Sequence, residues 1–544
     1  MRIAIAQLNY HIGNFEGNLR KMLEAVEEAK AQHVDLICFG ELATCGYPPR
    51  DFLEFADFVR RSHNSVLALC EVAHDIAIIV GSPAVNPVVE GKDLHNSAFM
   101  LANGKIVHQS KKALLPTYDI FDENRYFEPA TKFETFDYKG CRIAITICED
   151  MWNIGNENPL YTICPMDEMM PQKPDLMINI SASPFSYTHS QKRIDVIRQN
   201  ALRYGLPLFY INHVGAQTEI IFDGGSLAIS PSGHVIELPY FEEKLQVFEL
   251  DDIVSNKENH FQTKDKYELI YRALILGISD YFGKLGFKKA ILGLSGGIDS
   301  ALTAVLASHA LGPENVRVVL MPSKFSSSHS IEDAVALAQN LDLQYDIISI
   351  ENTYQAFIQS LNPLFDKLPF DVTEENLQAR CRGVILMAMS NKFGHILLNT
   401  SNKSEAAVGY GTLYGDMAGG LSVIGDLYKT EVFALCRHIN RKQEIIPNNT
   451  LIKPPSAELR PNQKDSDSLP EYDILDMILY QYIEMEQGPR EIVAMGYDAE
   501  LVGRILRLVN INEFKRFQTP PVIRISSKAF GMGRRMPIVG KYLN

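Results

Sequence analysis

Short apolar runs alternate with amphipathic stretches through about the first 250 residues. The run at 3–7 predicts a buried strand, and 18–31 has the spacing of an amphipathic helix. The apolar face of that helix holds Leu19, Met22, Leu23 and Val26. Further strands are predicted at 34–39, 76–80, 143–147, 176–180 and 208–212. This alternation predicts an α/β layered domain in which helices cover the strands.

A polar and charged segment at 251–265, DDIVSNKENHFQTKD, interrupts this pattern. It has no sustained apolar period, which is typical of a connector on the surface. An amphipathic helix then begins at 266, and a strand is predicted at 290–294. We therefore place one domain at 1–250, a connector at 251–265 and a second domain at 266–544.

The second domain repeats the alternation of strands and helices. Helix-like segments at 331–340 and 377–393 separate its predicted strands, and this order predicts a parallel sheet. A segment rich in proline, serine, aspartate and lysine, 454–470, predicts a mobile loop. The predicted strands that follow the one at 290–294 are 316–321, 345–349 and 395–399.

The bulk composition narrows the class of protein. A chain of 544 residues exceeds what one core usually supports, and its 46% hydrophobic and 22% charged residues are ordinary globular values. No apolar run approaches the roughly 20 residues that span a bilayer, and the start lacks a signal-peptide pattern. The net charge is −14 without a lysine and arginine block. We therefore expect a soluble cytoplasmic protein with neither membrane nor nucleic acid as a partner.

Eight cysteines lack paired spacing, so reduced thiols are expected. Cys148 ends a predicted strand, where a cysteine taken alone is most often a small core residue. Glu41 and Lys112 also follow strand-like runs. Attack of a thiolate on a carboxamide needs a base and a positive charge beside the oxyanion, which these three residues together supply.

The first domain resembles the nitrilase superfamily, in particular its glutamine-amidase branch. The resemblance rests on GELATCGYP at 40–48, KKALLPTYDIFDENRYF at 111–127 and ITICEDMW at 145–152. It implies an α-β-β-α sandwich, in which Glu41 is the general base, Lys112 the oxyanion-stabilising cation and Cys148 the nucleophile that forms a glutamyl thioester. It also implies that glutamine is held by Tyr118, Ser183 and His189. His189 stands where the pattern favours lysine or arginine, so a surface histidine is the alternative.

The string SGGIDS at 295–300 follows a strand and opens a predicted helix at 301–310. Free N–H groups at a helix start favour phosphate, the glycines permit close approach, and Asp299 is a candidate ligand of Mg²⁺. A glycine pair at such a turn can also be turn chemistry alone. The string lacks the lysine of a Walker loop.

This string is similar to the pyrophosphate loop of ATP pyrophosphatases, which belong to the Rossmann-like adenine nucleotide α-hydrolase (PP-loop) fold. Such enzymes transfer AMP to a substrate oxygen, which converts a carboxylate into an adenylate with a good leaving group. The implied ATP-binding residues are Gly293, Leu294, Ser295, Gly296, Gly297, Ile298, Asp299 and Ser300.

Four downstream strings extend the resemblance over nearly the whole chain to the glutamine-dependent NAD synthetase family. They are ENLQARCRG at 375–383, LLNTSNKSEAAVGYGTLYGDMAGG at 397–420, KPPSAELRPNQKDSD at 453–467 and NEFKRFQTPP at 512–521. The resemblance implies that Thr400 contacts ATP, that Glu405 binds Mg²⁺ with Asp299, and that deamido-NAD is held by Asn376, Arg380, Glu405 and Lys515.

Each of these residues also has a plainer interpretation. Arg380 can be an ion-pair partner on a helix surface, and Glu405 can lie in a first helical turn for electrostatic reasons. Asp416, in a glycine-rich segment, can be a turn residue.

The resemblance implies a ligase that converts deamido-NAD, ATP and glutamine into NAD, AMP, pyrophosphate and glutamate. It also implies a closed path for ammonia and a homo-oligomer. One alternative is a glutamine-fed amidotransferase that acts on another carboxylate or a purine. A second is a binding protein without catalysis, against which the intact Glu41, Lys112, Cys148 and SGGIDS loop argue.

Overall fold

The computed structural model describes residues 1–154, 160–262, 264–366, 368–461, 463, 465–467 and 469–542. The chain folds into two compact units, unit 1 at Met1–Lys264 and unit 2 at Asp265–Asn544. Within the range predicted as a connector, a helix ends at Ser255 and His260 forms a β-bridge with Ile236 of unit 1. The predicted domain bounds stay predictions, and residue 263 lies outside the described residues.

Unit 1 contains two six-stranded sheets and a two-stranded hairpin. The strands are β1 (Arg2–Gln7), β2 (Leu36–Cys38), β3 (Ala77–Val85), β4 (Leu94–Ala102), β5 (Lys105–Lys111), β6 (Phe136–Tyr138), β7 (Cys141–Ile147), β8 (Leu176–Ile180), β9 (Leu208–Ile211), β10 (Val214–Gln217), β11 (Ile220–Asp223), β12 (Leu227–Ile229), β13 (Val235–Glu237) and β14 (Lys244–Glu249). The sheets are ordered β14-β1-β2-β3-β4-β5 and β13-β12-β9-β8-β7-β6, and the hairpin is β10-β11. The predicted strands of this unit are all present, as β1, β2, β3, β7, β8 and β9.

Alternation along each strand explains the layers of unit 1. In β1, Ile3 and Ile5 belong to the core between the two sheets, whereas Ala4 packs with Met22 of the helix layer. On the outer side of the second sheet, a helix contributes Ile194 to a third apolar cluster. Because side chains on a strand point alternately to opposite faces, each sheet is buried on both sides. The helices are α1 (Phe15–Ala31), α2 (Ala56–Cys70), α3 (Pro165–Met169), α4 (His189–Tyr204) and α5 (Leu250–Ser255).

Unit 2 is built on a parallel five-stranded sheet. The strands are β15 (Ala290–Gly293), β16 (Val316–Leu320), β17 (Gln344–Ile347), β18 (Ile396–Asn399) and β19 (Leu421–Ser422). Their order in the sheet is β17-β16-β15-β18-β19. The four strands predicted here are present, and their parallel direction is confirmed.

The helices of unit 2 cover this sheet and form a helical cluster in its C-terminal half, which includes Ile478, Ile505 and Phe530. The sequence pattern did not predict the helices after residue 428. The predicted loop at 454–470 contains one 3₁₀ turn, Asp465–Asp467, and its residues 462, 464 and 468 lie outside the described residues. The helices are α6 (Lys266–Leu285), α7 (Ile298–Leu311), α8 (Ser328–Asn340), α9 (Glu351–Phe365), α10 (Val372–Phe393), α11 (Lys403–Val408), α12 (Lys429–Ile439), α13 (Asn448–Ile452), α14 (Tyr472–Ile483), α15 (Pro489–Ala494), α16 (Ala499–Ile511) and α17 (Glu513–Arg516).

Together these features match the predicted α/β class, with an α-β-β-α sandwich in unit 1 and a parallel, helix-covered sheet in unit 2. Among the described residues, no helix combines the length and the apolar character needed to cross a membrane.

Candidate active sites

Unit 1 brings Glu41 and Lys112 together in its interior. Glu41 follows β2 and Lys112 follows β5, and both side chains are fully buried. The ammonium Nζ of Lys112 lies 2.7 Å from Oε1 of Glu41, and the Asn96 side-chain amide donates to the same oxygen at 2.7 Å. The backbone N–H of Ala182 donates to Oε2 of Glu41 at 3.0 Å. These three interactions fix the orientation of the carboxylate, and the His213 ring contacts the backbone carbonyl of Glu41 at 2.7 Å.

A second glutamate, Glu123, completes this cluster and was missed by sequence reasoning. Its Oε1 accepts from Lys112 Nζ at 2.8 Å and from the Tyr47 hydroxyl at 2.7 Å. Burial raises the pKa of Glu123 to about 7, while Lys112 opposes the rise. Burial disfavours the ammonium of Lys112, but the two carboxylates outweigh it and raise the lysine pKa. The lysine therefore stays charged.

Cys148 lies directly after β7, in a 3₁₀ turn at Cys148–Met151. Its φ of 45° is in the left-handed region, which costs a non-glycine residue about 1–3 kcal/mol and is common where a turn presents a functional side chain. Burial, and then the charge of Glu41, raise the pKa of the Cys148 thiol, while Lys112 lowers it. The resting thiol is therefore protonated, and its attack requires a base such as Glu41.

Asp150 links the turn that carries Cys148 to the segment that carries Lys112. Its Oδ1 accepts from the backbone N–H groups of Ala113 and Leu114, both at 2.9 Å, and its Oδ2 accepts from the N–H of Ile147 at 3.0 Å. Burial raises the pKa of Asp150 to about 6. Of the two acidic residues that follow the cysteine, Glu149 and Asp150, Asp150 therefore has a structural role.

Glu149, the residue after the cysteine, accepts hydrogen bonds from two tyrosines. Its Oε1 accepts from the hydroxyl groups of Tyr118 at 2.9 Å and Tyr161 at 3.1 Å. Burial raises the pKa of Glu149, and Lys112 and the tyrosines oppose the rise. Tyr118 was predicted to be a site residue. Its neighbours Glu149 and Tyr161 were not.

The remaining predicted glutamine ligands occupy different surroundings. Ser183 is buried, and its N–H donates to the side-chain oxygen of Asn212 at 2.8 Å. His189 begins α4 and stacks on Trp152, with ring centroids 5.2 Å apart. Trp152 directly follows the turn of Cys148. The structure thus connects His189 to the cysteine turn through an aromatic contact.

In unit 2, the predicted phosphate loop runs from the end of β15 into α7. The Ser295 N–H donates to the Ser300 hydroxyl at 3.2 Å, and that hydroxyl donates to the Gly297 carbonyl at 3.0 Å. Gly296 has φ of 82°, and a Cβ there would lie 2.1 Å from the carbonyl oxygen of Ser330. Only glycine therefore permits this close approach to α8.

A lysine lies between the two predicted Mg²⁺ ligands. Lys429 Nζ is 2.5 Å from Asp299 Oδ2 and 3.4 Å from Glu405 Oε1, and the Asn402 amide donates to Asp299 Oδ1 at 2.8 Å. Burial, then the Asp299 charge, raise the pKa of Glu405 to about 8. Burial opposes the ammonium of Lys429, but the two acids outweigh it and raise its pKa. Sequence reasoning missed Lys429.

The donor set at Asp299 and Glu405 fits Mg²⁺. The described residues include no cluster of three or more histidine, cysteine or acidic side chains placed to hold a metal. Magnesium in phosphoryl-transfer sites is commonly held by one or two carboxylates together with substrate phosphates and water. Two carboxylates beside a phosphate loop meet that requirement.

A cavity of about 310 Å³ opens beside this loop. Of the predicted ATP-binding residues, all but Gly296 line it, as do Glu405, Lys429 and Asp416. Asn376, Arg380 and Lys515 are not among its lining residues.

Those three residues instead hold the segment 409–416, part of which lines the cavity. Asn376 accepts from the Thr412 hydroxyl at 2.6 Å, and the Arg380 Nε donates to the Leu413 carbonyl at 3.2 Å. The ammonium of Lys515 donates to the carbonyls of Gly409 at 2.8 Å and Gly411 at 2.9 Å. Asp416 accepts from the Thr412 N–H at 2.6 Å, so it also stabilises a turn of this segment.

Comparison with known proteins separates the chain into the same two parts. The carbon-nitrogen hydrolase family matches residues 2–256, and the NAD synthase family matches residues 270–519. A glutamine-dependent NAD(+) synthetase of Synechocystis sp. is 47% identical over 98% of this chain and 98% of its own length. The chain belongs to the glutamine-dependent NAD(+) synthetase family.

Other members of the family agree over the full length. The Thermotoga maritima protein is 39% identical over 100% of this chain and 99% of its own length. The solved structure of the Acinetobacter baumannii synthetase in complex with ADP has a TM-score of 0.77 and 38% identity, and covers 99% of this chain and 98% of that one. A Cytophaga hutchinsonii synthetase, 22% identical over 99% of this chain and 98% of that one, has the same fold with a TM-score of 0.83.

These comparisons confirm the predicted family, fold class and enzyme class, a ligase with glutamine as the amide donor. They favour that function over an amidotransferase for a different carboxylate or a purine. The roles of individual residues stay predictions.

Proposed function

We propose that the chain converts deamido-NAD, ATP and glutamine into NAD, AMP, pyrophosphate and glutamate, with glutamine hydrolysed in unit 1 and the acceptor adenylated in unit 2. The observation that carries this proposal is the presence on one chain of two different sites. One is the buried Glu41, Lys112 and Cys148 cluster, and the other is the SGGIDS loop beside a cavity. Neither site alone accounts for both the nitrogen donor and the activated carboxylate.

In unit 1, the Cys148 sulfur attacks the amide carbon of glutamine while Glu41 takes the thiol proton. Lys112 stabilises the oxyanion, the C–N bond breaks, and ammonia leaves with the proton that Glu41 returns. Glu41 then takes a proton from water, which hydrolyses the thioester to glutamate and restores the thiol. Glu123 keeps Lys112 charged and in place throughout, because the pKa of the lysine depends on its two carboxylates.

The glutamine itself has an α-ammonium group that needs an anionic partner. Glu149 supplies one, because its carboxylate lies next to Cys148 in sequence and is oriented by Tyr118 and Tyr161. Ser183 and His189 are proposed to complete the binding site. The alternative for His189 is a purely structural role through its stack on Trp152.

In unit 2, the N–H groups at the start of α7 and the hydroxyls of Ser295 and Ser300 bind the phosphates of ATP. Asp299 and Glu405 would hold Mg²⁺, which would supply positive charge beside the phosphates of ATP. Lys429 lies between these two carboxylates, and its ammonium can pair with either the carboxylates or the phosphates of ATP. Thr400 contacts the nucleotide from the end of β18.

Further parts of the proposal concern the acceptor and the assembly. Deamido-NAD is bound by Asn376, Arg380, Glu405 and Lys515. Three of them, Asn376, Arg380 and Lys515, act by holding the segment 409–416 in place. We also propose domains at 1–250 and 266–544 with a connector at 251–265, a homo-oligomer in the cytoplasm, and a closed path for ammonia. A ratio of one glutamate released per NAD formed supports such a path, whereas large excess hydrolysis counts against it.

The decisive experiment is product analysis with deamido-NAD, ATP and Mg²⁺, supplied with either glutamine or ammonium. We expect NAD, AMP and pyrophosphate with both donors, and glutamate with glutamine alone. Formation of ADP and phosphate would contradict adenylation, and inertness toward deamido-NAD alongside activity on a different acceptor would contradict the assigned substrate.

A further inference from the structure

Arg382 on α10 is held rigidly at the edge of the nucleotide cavity. Its neighbour Gly383 packs so closely that an added Cβ would lie 3.1 Å from the Tyr414 carbonyl oxygen. The Nε of Arg382 donates to the carbonyl of Met321, the residue after β16, at 3.1 Å. The side chain is partly buried and lines the cavity, so its backbone and one edge of its guanidinium are fixed.

The charge of Arg382 lacks a matching acid. Three basic side chains line the cavity in the described part of the chain, Arg382, Lys429 and Lys453. Lys429 pairs with Asp299 at 2.5 Å, and Lys453 pairs with an acid of α8 at 2.9 Å. Arg382 forms no ion pair within 4.0 Å with any residue that the structure describes, and the Met321 carbonyl is its hydrogen-bond partner there.

The two acids whose charges act on Arg382, Asp416 and Glu458, already accept other hydrogen bonds. Asp416 accepts from the Thr412 N–H at 2.6 Å, and Glu458 accepts from the hydroxyls of two serines of the α8 start at 2.9 Å and 2.8 Å. Burial lowers the pKa of Arg382, and these two acids oppose the change. Because arginine remains protonated in proteins, a partly buried guanidinium favours an anionic partner. Arg382 lines the cavity, so we take that partner to be a ligand bound there.

The position of Arg382 selects among the anionic groups of ATP. An added Cβ on Gly293, the last residue of β15, would contact Met321 at 3.2 Å and Leu386 at 3.4 Å. Leu386 is one helical turn after Arg382, which places the arginine beside the ends of β15 and β16. Under the proposed function, the loop and helix start that follow β15 bind the two terminal phosphates of ATP. The remaining phosphoryl group, the α-phosphoryl, is then the one at the strand ends beside Arg382.

We propose that Arg382 binds the α-phosphoryl group of ATP and of the acyl adenylate, an inference that rests on the proposed function of unit 2. A carboxylate oxygen of the acceptor attacks the α-phosphorus, and the bond from that phosphorus to the bridging oxygen of pyrophosphate breaks. Ammonia then attacks the acyl carbon, the bond from that carbon to the AMP oxygen breaks, and one proton passes to solvent. Arg382 offsets the negative charge of the α-phosphoryl group in the first step and, once pyrophosphate has left, in the second.

The test compares Arg382→Met and Arg382→Lys with Lys392→Met, an exposed cation on the same helix. Binding of AMP, adenosine and inorganic pyrophosphate to the full chain is measured by calorimetry, alongside ammonium-driven NAD formation. A charge-assisted hydrogen bond contributes enough that Arg382→Met should weaken AMP binding by about 10- to 100-fold. Adenosine and pyrophosphate binding should stay within about 2-fold of the parent, and Arg382→Lys should restore part of the AMP affinity because it retains the charge without the fork.

Equal AMP affinity in parent and Arg382→Met would overturn the inference, as would a matching loss for adenosine, which would assign the guanidinium to the base. A matching loss for pyrophosphate with normal melting would assign it to the terminal phosphates and overturn the inference too. If the parent itself forms no AMP from ATP and deamido-NAD, the proposed function fails instead. The two failures are thus distinguishable in one set of measurements.

Discussion

Both units place one lysine between two carboxylates, but they do so in different surroundings. In unit 1, Lys112 pairs with Glu41 and Glu123, and all three side chains are at most 5% exposed. In unit 2, Lys429 is 3% exposed, whereas its partner Asp299 is 18% exposed and lines a cavity. The same charge arrangement is therefore closed in one unit and open on one side in the other.

Under the proposed function, this difference corresponds to what each site must accommodate. A thioester reaction needs a cation that stays fixed beside the oxyanion, and a fully buried lysine with two acids would provide one. Nucleotide activation would bring the charges of phosphates and Mg²⁺ to Asp299, so the lysine and the acids of unit 2 would have to exchange partners.

The largest effect is expected from Cys148→Ala, because it removes only the proposed nucleophile of unit 1. Glutamine-driven NAD formation should fall by about 10⁴-fold or more, while ammonium-driven formation stays within about 2-fold of the parent. Steady-state assays with each nitrogen donor measure both rates. The buried Cys38→Ala serves as the matched control, and equal loss with both donors would contradict separable sites.

A smaller loss, but with both donors, is expected from Lys429→Met. Under the proposed function, the ammonium is one of the groups that stabilise charge at the nucleotide site, and removing one such donor costs about 10²- to 10³-fold. Glutamate release measured without ATP should be unchanged, since unit 1 keeps its own lysine. Lys392→Met is the control, and a loss confined to the glutamine-driven rate would sink this assignment.

Glu123→Gln tests the closed cluster through pH. The folded protein holds a proton on Glu123 up to pH about 7, whereas an ordinary carboxyl loses it near 4.5, so the free energy of unfolding falls as pH rises across this window. Glu123→Gln removes this titration, so the free energy of unfolding of the variant minus that of the parent should be about 3 kcal/mol larger at pH 8 than at pH 4.

The measurement is the Tm difference between Glu123→Gln and the parent from pH 5 to pH 8. It should move in favour of the variant as pH rises, even if the variant is less stable at every pH through weaker contacts with Lys112. Exposed Glu90→Gln is the control. A Tm difference that is independent of pH would exclude the raised pKa of Glu123.

The smallest effect is expected from His189→Ala. The stack on Trp152 resembles aromatic pairs worth about 0.5–1.5 kcal/mol, so the KM for glutamine should rise by about 2- to 10-fold with little change in kcat. Steady-state kinetics at saturating ATP measure this, with His189→Phe expected to recover most of the loss. A rise above 100-fold that Phe does not recover would instead indicate a direct polar contact with glutamine.

Elements with a clear period were predictable, and elements built around polar cores were not. The strand at 143–147 reads as five consecutive apolar or small residues and lies within β7. In contrast, β4 is buried along its whole length yet contains His95, Asn96 and Ser97, which break the apolar pattern. The Asn96 side chain donates to Glu41, a polar contact inside the core that no apolar period reveals.

The same limit applies to the sites. Glu41, Lys112 and Cys148 could be recognised because each follows a strand within a distinctive string. Glu123 lies in that middle string, but its contact with Lys112 is created by a turn that no periodicity reveals. Lys429 is 130 residues from Asp299, and only the folded sheet brings them together.

The most direct test of the two-site account is isotope competition. The enzyme is supplied with deamido-NAD, ATP, glutamine labelled with ¹⁵N at the amide, and unlabelled ammonium, and the product NAD is weighed by mass spectrometry. The account predicts NAD rich in ¹⁵N from the parent and unlabelled NAD from Cys148→Ala at an unchanged ammonium-driven rate. Labelled NAD from Cys148→Ala would contradict it.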